Sequence, residues 1–297
     1  MYKKILILCI IIVVIYILII YIKAAILYHP LPALPEKYNK FYQKIFQLTG
    51  SKKYISNIMI KTVDNILLDT IYVINPNATK CIIFFHGNAG NISMRYDIIK
   101  FLYNFASVII FDYRSFGKST GDKEKLSSES LHRDAETVWK FVTENLGINA
   151  NNISLFGESL GCYVAIYLAS KLSKHMDNKY YPHSIILNAP FFSLSSMMTN
   201  TFNKLNLGYI GEMLSLFIGR EYQSNELIKF INHKTKVIIA HSPRDEVVPY
   251  NEGWKLYKFI TSFRSGIQFI NISGTHNNLG LTDDYIYALA DLFDNDY

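Results

Sequence analysis

Short apolar runs that alternate with longer amphipathic stretches constrain the fold of this chain most strongly. The runs are CIIFF (81–85), SVIIF (107–111), ISLF (153–156), SIIL (184–187) and KVIIA (236–240). Strands that are covered on both faces by helices have this continuous apolar character. The alternation of such strands with helices predicts an α/β fold, with a mostly parallel, doubly wound sheet and right-handed crossovers.

Two further segments extend this prediction. Residues 127–146 carry apolar side chains at helical spacing, and residues 128–131 offer a capped start. Upstream, residues 55–60 and 66–74 alternate in polarity, which is typical of an antiparallel pair, and Asp64-Asn65 supplies the turn between them.

The stretch GESLG (157–161) matches the pattern G-x-S-x-G of a nucleophile elbow. Such a short pattern also occurs by chance, so its flanks decide its meaning. The strand-like ISLF precedes it, and a strongly apolar helical pattern follows it. This context predicts that Ser159 lies on a sharp turn between strand and helix, where the helix N-terminus favours negative charge.

A nucleophilic serine needs a base, and the base needs an acid that orients it. In the elbow architecture the chain order is Ser, acid, His. Asp245 stands in a loop after the strand-like KVIIA, and His276 is the histidine that follows it. We therefore predict Ser159, Asp245 and His276 as the catalytic residues. Glu246 remains a rival acid, whereas the alternative acid position after SIIL holds Asn188.

An acyl-transfer site also needs N–H donors for the developing oxyanion. We expect one donor to be the main-chain N–H of Leu160, which follows the nucleophile. The second should come from the loop HGNAGN (86–91), and we assign it to the Asn88 N–H. His86 precedes the serine at a strand end, so we expect it to brace this loop.

Two other carboxylates precede the serine and receive structural roles. Asp112 ends a predicted strand next to Arg114, which suggests a buried ion pair between the two. Asp134 lies in the predicted helix, where we expect it to be structural.

The N-terminal run ILILCIIIVVIYILIIYI (5–22) contains no charge, glycine or proline. It is long enough to cross most of a bilayer and longer than the apolar region of a cleaved signal peptide. We predict an uncleaved, single-pass membrane anchor over residues 1–28. Lysines flank the run on both sides, so the side of the membrane that holds the remaining chain is not fixed.

Composition excludes several other classes of function. The three cysteines cannot build a disulfide framework, and no C-x-x-C or H-E-x-x-H spacing indicates a metal. The net charge of +6 comes from scattered lysines rather than from a basic groove, so we expect no nucleic-acid partner. No cofactor is indicated, and the oligomeric state is not indicated either.

Four motifs in order resemble the α/β-hydrolase superfamily, and in particular its membrane-anchored serine hydrolases. They are HGNAGN (86–91), DYRSFGKSTG (112–121), GESLG (157–161) and GTHN (274–277). The resemblance implies the α/β-hydrolase fold and its triad. Ser115 and Asn278 depart from the family pattern without touching a triad position.

These expectations divide the chain into an anchor (1–28), a stiff, non-helical stalk (29–53) and a hydrolase domain (54–297). The stalk follows from Pro30, Pro32 and Pro35. An insertion rich in Phe, Met and Leu, at about residues 190–232, occupies the position of a small cap. Its apolar side chains are equally compatible with core packing and with an acyl pocket.

The predicted function is cleavage of a carboxylic ester or thioester by a membrane-anchored serine hydrolase. The anchor and the cap favour a lipid-like or acyl-protein substrate, and some relatives implied by the resemblance remove palmitoyl groups from proteins. Three alternatives stay open: a catalytically silent binding scaffold, a serine peptidase or amidase, and a secreted glycoprotein with sequons at Asn77 and Asn91.

Overall fold

An eight-stranded sheet organises the residues described by the computed structural model, which are 27–174, 180–204, 206–218, 221–278 and 280–294. The strands are β1 (Ile55–Lys61), β2 (Leu67–Val73), β3 (Cys81–Phe85), β4 (Ser107–Phe111), β5 (Ile153–Glu158), β6 (Ser184–Asn188), β7 (Lys236–His241) and β8 (Ile267–Asn271). Their spatial order is β8-β7-β6-β5-β3-β4-β2-β1. The two pairs that β2 makes, with β1 and with β4, are antiparallel, and the other pairs of this sheet are parallel, so the predicted doubly wound, mostly parallel sheet is confirmed.

The apolar runs form strands because both faces of the sheet are covered. All five residues of β3 are buried. Ile83 and Phe85 pack into one apolar cluster, whereas Ile82 and Phe84 pack into a second cluster. Successive side chains of a strand point to opposite faces, so a strand between two helical layers must be apolar at every position.

Helices on both sides of the sheet provide these layers. They are α1 (Pro35–Thr49), α2 (Tyr96–Tyr103), α3 (Ser128–Lys140), α4 (Leu160–Ser173), α5 (Leu194–Lys204), α6 (Gly208–Ile218), α7 (Ser224–Ile228), α8 (Tyr250–Thr261) and α9 (Asp283–Asp294). The helix predicted over 127–146 is confirmed as α3, although its last part widens into a π-helical turn, Phe141–Asn145. It is capped by a reciprocal pair of hydrogen bonds between Ser127 and Ser130.

The prediction of a non-helical stalk is wrong for residues 35–49, which form α1. Pro35 occupies the first helical turn, where a missing N–H leaves no bond unmade, and Gly50 ends the helix with a φ of 67°. The side chains that α1 buries recur along one face: Tyr38, Phe41 and Ile45. They pack in the same cluster as Ile71 and Ile82 of the sheet. The segment is therefore part of the folded domain.

The insertion predicted as a cap lies between β6 and β7 and contains α5, α6 and α7. Its role as a cap stays a prediction. Phe191 and Leu194, at its beginning, are buried in the same apolar cluster as Leu160. Met197 and Met198 pack against that cluster. These four side chains therefore contribute to the core.

The predicted anchor, residues 5–22 with Cys9, lies outside the described residues. Among the residues that the structure does describe, none of the helices has the length and apolar character needed to cross a bilayer. Cys81 and Cys162 are both buried free thiols, as their positions in apolar runs predict.

A substitution in α1 tests whether this helix packs into the domain or belongs to a separate stalk. Phe41 is only 1% exposed, so Phe41→Ala should lower the free energy of unfolding by about 3–5 kcal/mol. Gln43→Ala, an exposed position on the same helix, should change it by less than about 0.5 kcal/mol. Urea unfolding of the two variants measures the difference. Equal, small effects would contradict the packing of α1 into the domain.

Candidate active site

Ser159 lies alone between β5 and α4, at a backbone conformation of φ 54° and ψ −116°. This conformation is costly for a residue with a side chain and occurs mainly where the surrounding fold enforces it. The Ser159 N–H donates to the Asn188 carbonyl oxygen at the end of β6, at 2.9 Å. The strand–turn–helix context predicted for the G-x-S-x-G motif is thereby confirmed.

Two glycines of the motif allow α4 to approach the sheet closely. A Cβ at Gly161 would overlap the carbonyl oxygen of Phe85, the last residue of β3. A Cβ at Gly157 would lie 2.5 Å from the Cα of Cys162. Any larger residue at either position would push the helix away from the strands that hold the turn.

The loop 86–91 lies beside the serine. A Cβ built on Gly87 would be 3.6 Å from the Cβ of Ser159. Leu160 is the first residue of α4, so its N–H has no acceptor within the helix. The two elements expected to supply oxyanion donors therefore flank Ser159. The assignment of the Asn88 and Leu160 N–H groups as these donors stays a prediction.

Asp245 and His276 come together at the carboxyl ends of neighbouring strands. Asp245 follows β7, His276 follows β8, and Asp245 Oδ2 lies 2.8 Å from His276 Nδ1. The other oxygen, Oδ1, accepts the main-chain N–H groups of Val247 at 2.9 Å and Val248 at 2.8 Å. The carboxylate is thus fixed by main-chain donors on one side and binds the imidazole on the other.

The charge of Asp245 is stabilised despite its burial. Desolvation alone would raise the pKa of this carboxyl group, but hydrogen bonds from His241, His276 and the Val248 N–H outweigh it. The net effect holds the pKa of Asp245 well below its usual range. The group is therefore an anion in the neutral range and favours a proton on Nδ1 of His276.

Glu246, the rival acid, contacts the same histidine differently. Its Oε2 accepts the main-chain N–H of His276 at 3.2 Å, and its side chain is exposed. The geometry therefore favours Asp245 as the partner of the imidazole. In the structure, Ser159 Oγ and His276 form no hydrogen bond with each other. Catalytic hydrogen bonds often tighten only when a substrate is bound.

His86 has the bracing role expected from its position. Its Nδ1 lies 2.7 Å from the Gly87 carbonyl oxygen, and its ring packs against Tyr113 and Phe116. Burial lowers the pKa of His86 to about 3, so the ring stays neutral and donates to the loop.

The predicted ion pair between Asp112 and Arg114 is wrong. The chain turns after β4, so Asp112 faces α1 and accepts from the Tyr38 hydroxyl at 2.7 Å and from the Ile92 N–H at 2.8 Å. Arg114 instead faces α3 and bonds Asp134 Oδ1 through Nε at 2.9 Å and Nη2 at 2.7 Å. The structural role expected for Asp134 is confirmed.

The sequence analysis did not predict an ion pair that lies close to the nucleophile. Arg95 Nε lies 3.3 Å from Glu158 Oε2, and Arg95 Nη2 donates to the Ala89 carbonyl oxygen at 2.9 Å. Glu158 directly precedes Ser159, so Arg95 connects the elbow with the loop 86–91. The carboxylate at the variable position of G-x-S-x-G is visible in the sequence, but its partner Arg95 is not.

Comparison with known proteins gives the family. Residues 80–205 match a family model described as alpha/beta hydrolase fold. Protein R595 of Acanthamoeba polyphaga mimivirus is 57% identical over 295 residues, which cover 99% of this chain and 100% of that protein. The chain belongs to the α/β-hydrolase superfamily. Its mostly parallel sheet and its strand–turn–helix elbow agree with that membership.

Two more distant relatives carry descriptive names. Membrane protein YNL320W of Saccharomyces cerevisiae is 28% identical over 232 residues, covering 77% of this chain and 76% of that protein. Lysophosphatidylserine lipase ABHD12 of Bos taurus is 29% identical over 226 residues, which cover 71% of this chain but only 53% of the longer bovine protein.

A solved structure gives the same fold. The Pyrococcus furiosus esterase Pf2001 superposes with a TM-score of 0.61 at 18% identity, covering 84% of this chain and 90% of the esterase. Most of the described chain therefore shares the α/β-hydrolase architecture.

The lowered pKa of Asp245 predicts a specific loss of stability in acid. Its carboxylate stabilises the fold above the ordinary, unfolded-state pKa of about 3.9, and this contribution is lost as the pH falls through the lower folded-state pKa. The difference in free energy of unfolding between the wild type and Asp245→Asn should therefore shrink below about pH 4. Urea unfolding from about pH 3 to pH 7 measures it. A difference that stays constant with pH would contradict the assigned interaction.

Proposed function

We propose that this chain is a membrane-anchored serine hydrolase that cleaves a carboxylic ester or thioester through an acyl-enzyme on Ser159. The observation that carries the proposal is the backbone of Ser159, held at φ 54° at the N-terminus of α4. A fold bears such strain where it serves the chemistry, as at a nucleophile elbow. The hydrogen-bonded pair of Asp245 and His276, later in the chain, supports the same proposal because it supplies the acid and the base in the expected order.

The proposed reaction is a double displacement. His276 Nε2 takes the Ser159 hydroxyl proton as Oγ attacks the acyl carbon, and Asp245 stabilises the imidazolium that forms. The tetrahedral oxyanion is held by the N–H groups of Asn88 and Leu160. As the intermediate collapses, His276 gives its proton to the departing alcohol or thiol. Water, deprotonated by His276, then attacks the acyl-enzyme. The second tetrahedral intermediate expels Ser159 Oγ, which takes the proton back from His276, and the acid is released.

The proposed substrate carries an apolar acyl chain, as a lipid or an acylated protein does. The name of the bovine relative, a lysophosphatidylserine lipase, supports an ester of this kind. The uncharged apolar run at 5–22 supports a membrane location, as does the description of the yeast relative as a membrane protein.

Labelling with a fluorophosphonate probe tests the proposal on the detergent-solubilised full chain. The wild type should be labelled, because the probe reacts with serines that a neighbouring base activates. Ser159→Ala and His276→Ala should abolish labelling. Their matched controls, Ser262→Ala and His233→Ala, change exposed residues and should label as the wild type does. A folded wild-type protein that does not react with the probe would overturn the proposal of an enzyme and favour a binding scaffold.

The two adjacent carboxylates should differ sharply in their effect on turnover. Asp245→Asn should lower kcat by roughly 10³–10⁴-fold, the scale seen when the acid of a serine-protease triad becomes its amide. Glu246→Gln should stay within about threefold, because Glu246 bonds only the main chain of His276 and an amide oxygen can replace that bond. Steady-state kinetics with a soluble short-chain ester measures both. The reverse ranking would assign the acid to Glu246.

A further inference from the structure

The segment that would connect a membrane anchor to the domain lies directly against the loop 86–91. His29–Pro30 pairs in parallel with Ala89–Gly90 as a two-residue ladder. The His29 N–H donates to the Asn88 carbonyl oxygen at 2.8 Å, and the Leu31 N–H donates to the Gly90 carbonyl oxygen at 3.1 Å. We use the name strap for residues 27–32.

Side chains of the loop return bonds to the strap. The Asn88 side-chain amide donates to the Leu27 carbonyl oxygen at 3.0 Å. The Asn91 side-chain amide lies 3.2 Å from the carbonyl oxygen of Leu31 and 3.3 Å from that of Pro32. Asn88 is thus held by its side chain and by its main-chain carbonyl group, and both bonds end on the strap. Together they restrict rotation about the bonds that orient this residue.

The strap is itself fixed to the rest of the domain. The Gly117 N–H donates to the Leu31 carbonyl oxygen at 3.1 Å, and directly after the strap the Ala33 N–H donates to the Gly117 carbonyl oxygen at 3.3 Å. Tyr28 is buried in the main apolar cluster. A segment fastened in this way can hold a neighbouring loop in one position.

The sequence of the strap limits where it can bond. Within HPLP (29–32) only His29 and Leu31 carry a main-chain N–H, because proline has none. Both N–H groups donate to the loop 86–91. The prolines also restrict their own φ and bias the residue before each of them to extended conformations. This pattern therefore specifies a stiff edge that bonds to one neighbour.

We propose that the strap positions the oxyanion loop: it holds Asn88 so that its N–H points at the carbonyl oxygen of the substrate. This inference rests on the proposed function, in which Asn88 is an oxyanion donor. The strap touches neither the substrate nor the reacting atoms. It makes the segment that joins the anchor to the domain a positioning element, which acts through the main-chain N–H groups that it donates to the loop.

Removal of single main-chain N–H groups by substitution with proline tests the inference on the full chain in detergent. His29→Pro removes the donor to Asn88, whereas His29→Ala keeps it. Leu31→Pro and Leu31→Ala form a second pair for the bond to Gly90. For each variant, kcat and KM are measured with a soluble short-chain ester, alongside the rate of fluorophosphonate labelling and the Tm.

We expect His29→Pro to lower kcat by about 10–10²-fold, somewhat less than the loss of a whole oxyanion donor. KM should stay within about threefold, and His29→Ala should match the wild type. A loss confined to kcat separates positioning from general damage, which would also lower the Tm. If His29→Pro lowers the Tm markedly, Asn88→Ala decides, because it removes the bond to Leu27 and keeps the Asn88 N–H.

The outcomes distinguish this inference from the proposed function. A wild type that neither labels nor turns over an ester overturns both. If the wild type is active and the folded His29→Pro variant has the same kcat, the positioning role of the strap is overturned and the proposed function stands. Where Asn88→Ala has to decide, wild-type kcat in that variant likewise overturns the strap, and a selective loss of kcat supports it.

Discussion

The close crossing of α4 over the ends of β3 and β5 is the constraint on which the rest of the site depends. Gly161 meets the carbonyl oxygen of Phe85, and Gly157 meets the start of the same helix, with no space for a Cβ at either position. This contact forces the chain to reverse within one residue, and Ser159 takes a backbone conformation that costs on the order of 1–3 kcal/mol. Burial of almost all of α4 against the sheet offsets that cost.

Two buried carboxyl groups show how hydrogen-bond donors set charge in this fold. Asp245 receives two main-chain N–H groups and lies against two histidines, His241 and His276, and its pKa is held well below the usual range. Asp112 receives one main-chain N–H and the Tyr38 hydroxyl, and burial dominates, raising its pKa to about 7. Both lie at the ends of parallel strands. The difference follows from the two histidines beside Asp245 and from the neighbouring Asp69 carboxyl group, which raises the pKa of Asp112 further.

The central strands and the elbow could be predicted because their signals are local. An apolar run buried on both faces, or glycines two residues either side of a serine, identifies itself within a few positions. The order of acid and histidine then limited the triad to Asp245 and His276, and the contact between them agrees with that choice. Glu246 could not be excluded from the sequence, because adjacent carboxylates differ only in which atom of His276 they reach.

The wrong and the missing predictions concern residues whose contacts lie in distant parts of the chain. The prolines at 30, 32 and 35 predict a stalk, but Pro35 starts α1 and the other two belong to the strap. The partner of Arg114 was misassigned because the turn after β4, rather than sequence distance, decides which face Arg114 reaches. Arg95 and Glu158 lie 63 positions apart and meet because the fold brings the residue before α2 to the carboxyl end of β5.

The attachment point of the strap also has a consequence for how substrate is encountered. If the anchor ends at Ile22, five chain steps separate it from Leu27, which span at most about 17 Å when fully extended. The part of the candidate active site beside the loop 86–91 would then stay close to the lipid surface. A short tether of this kind gives a high effective concentration towards esters in the same bilayer. The length of residues 23–26 would thus set how often the enzyme meets its substrate, independently of the chemistry at Ser159.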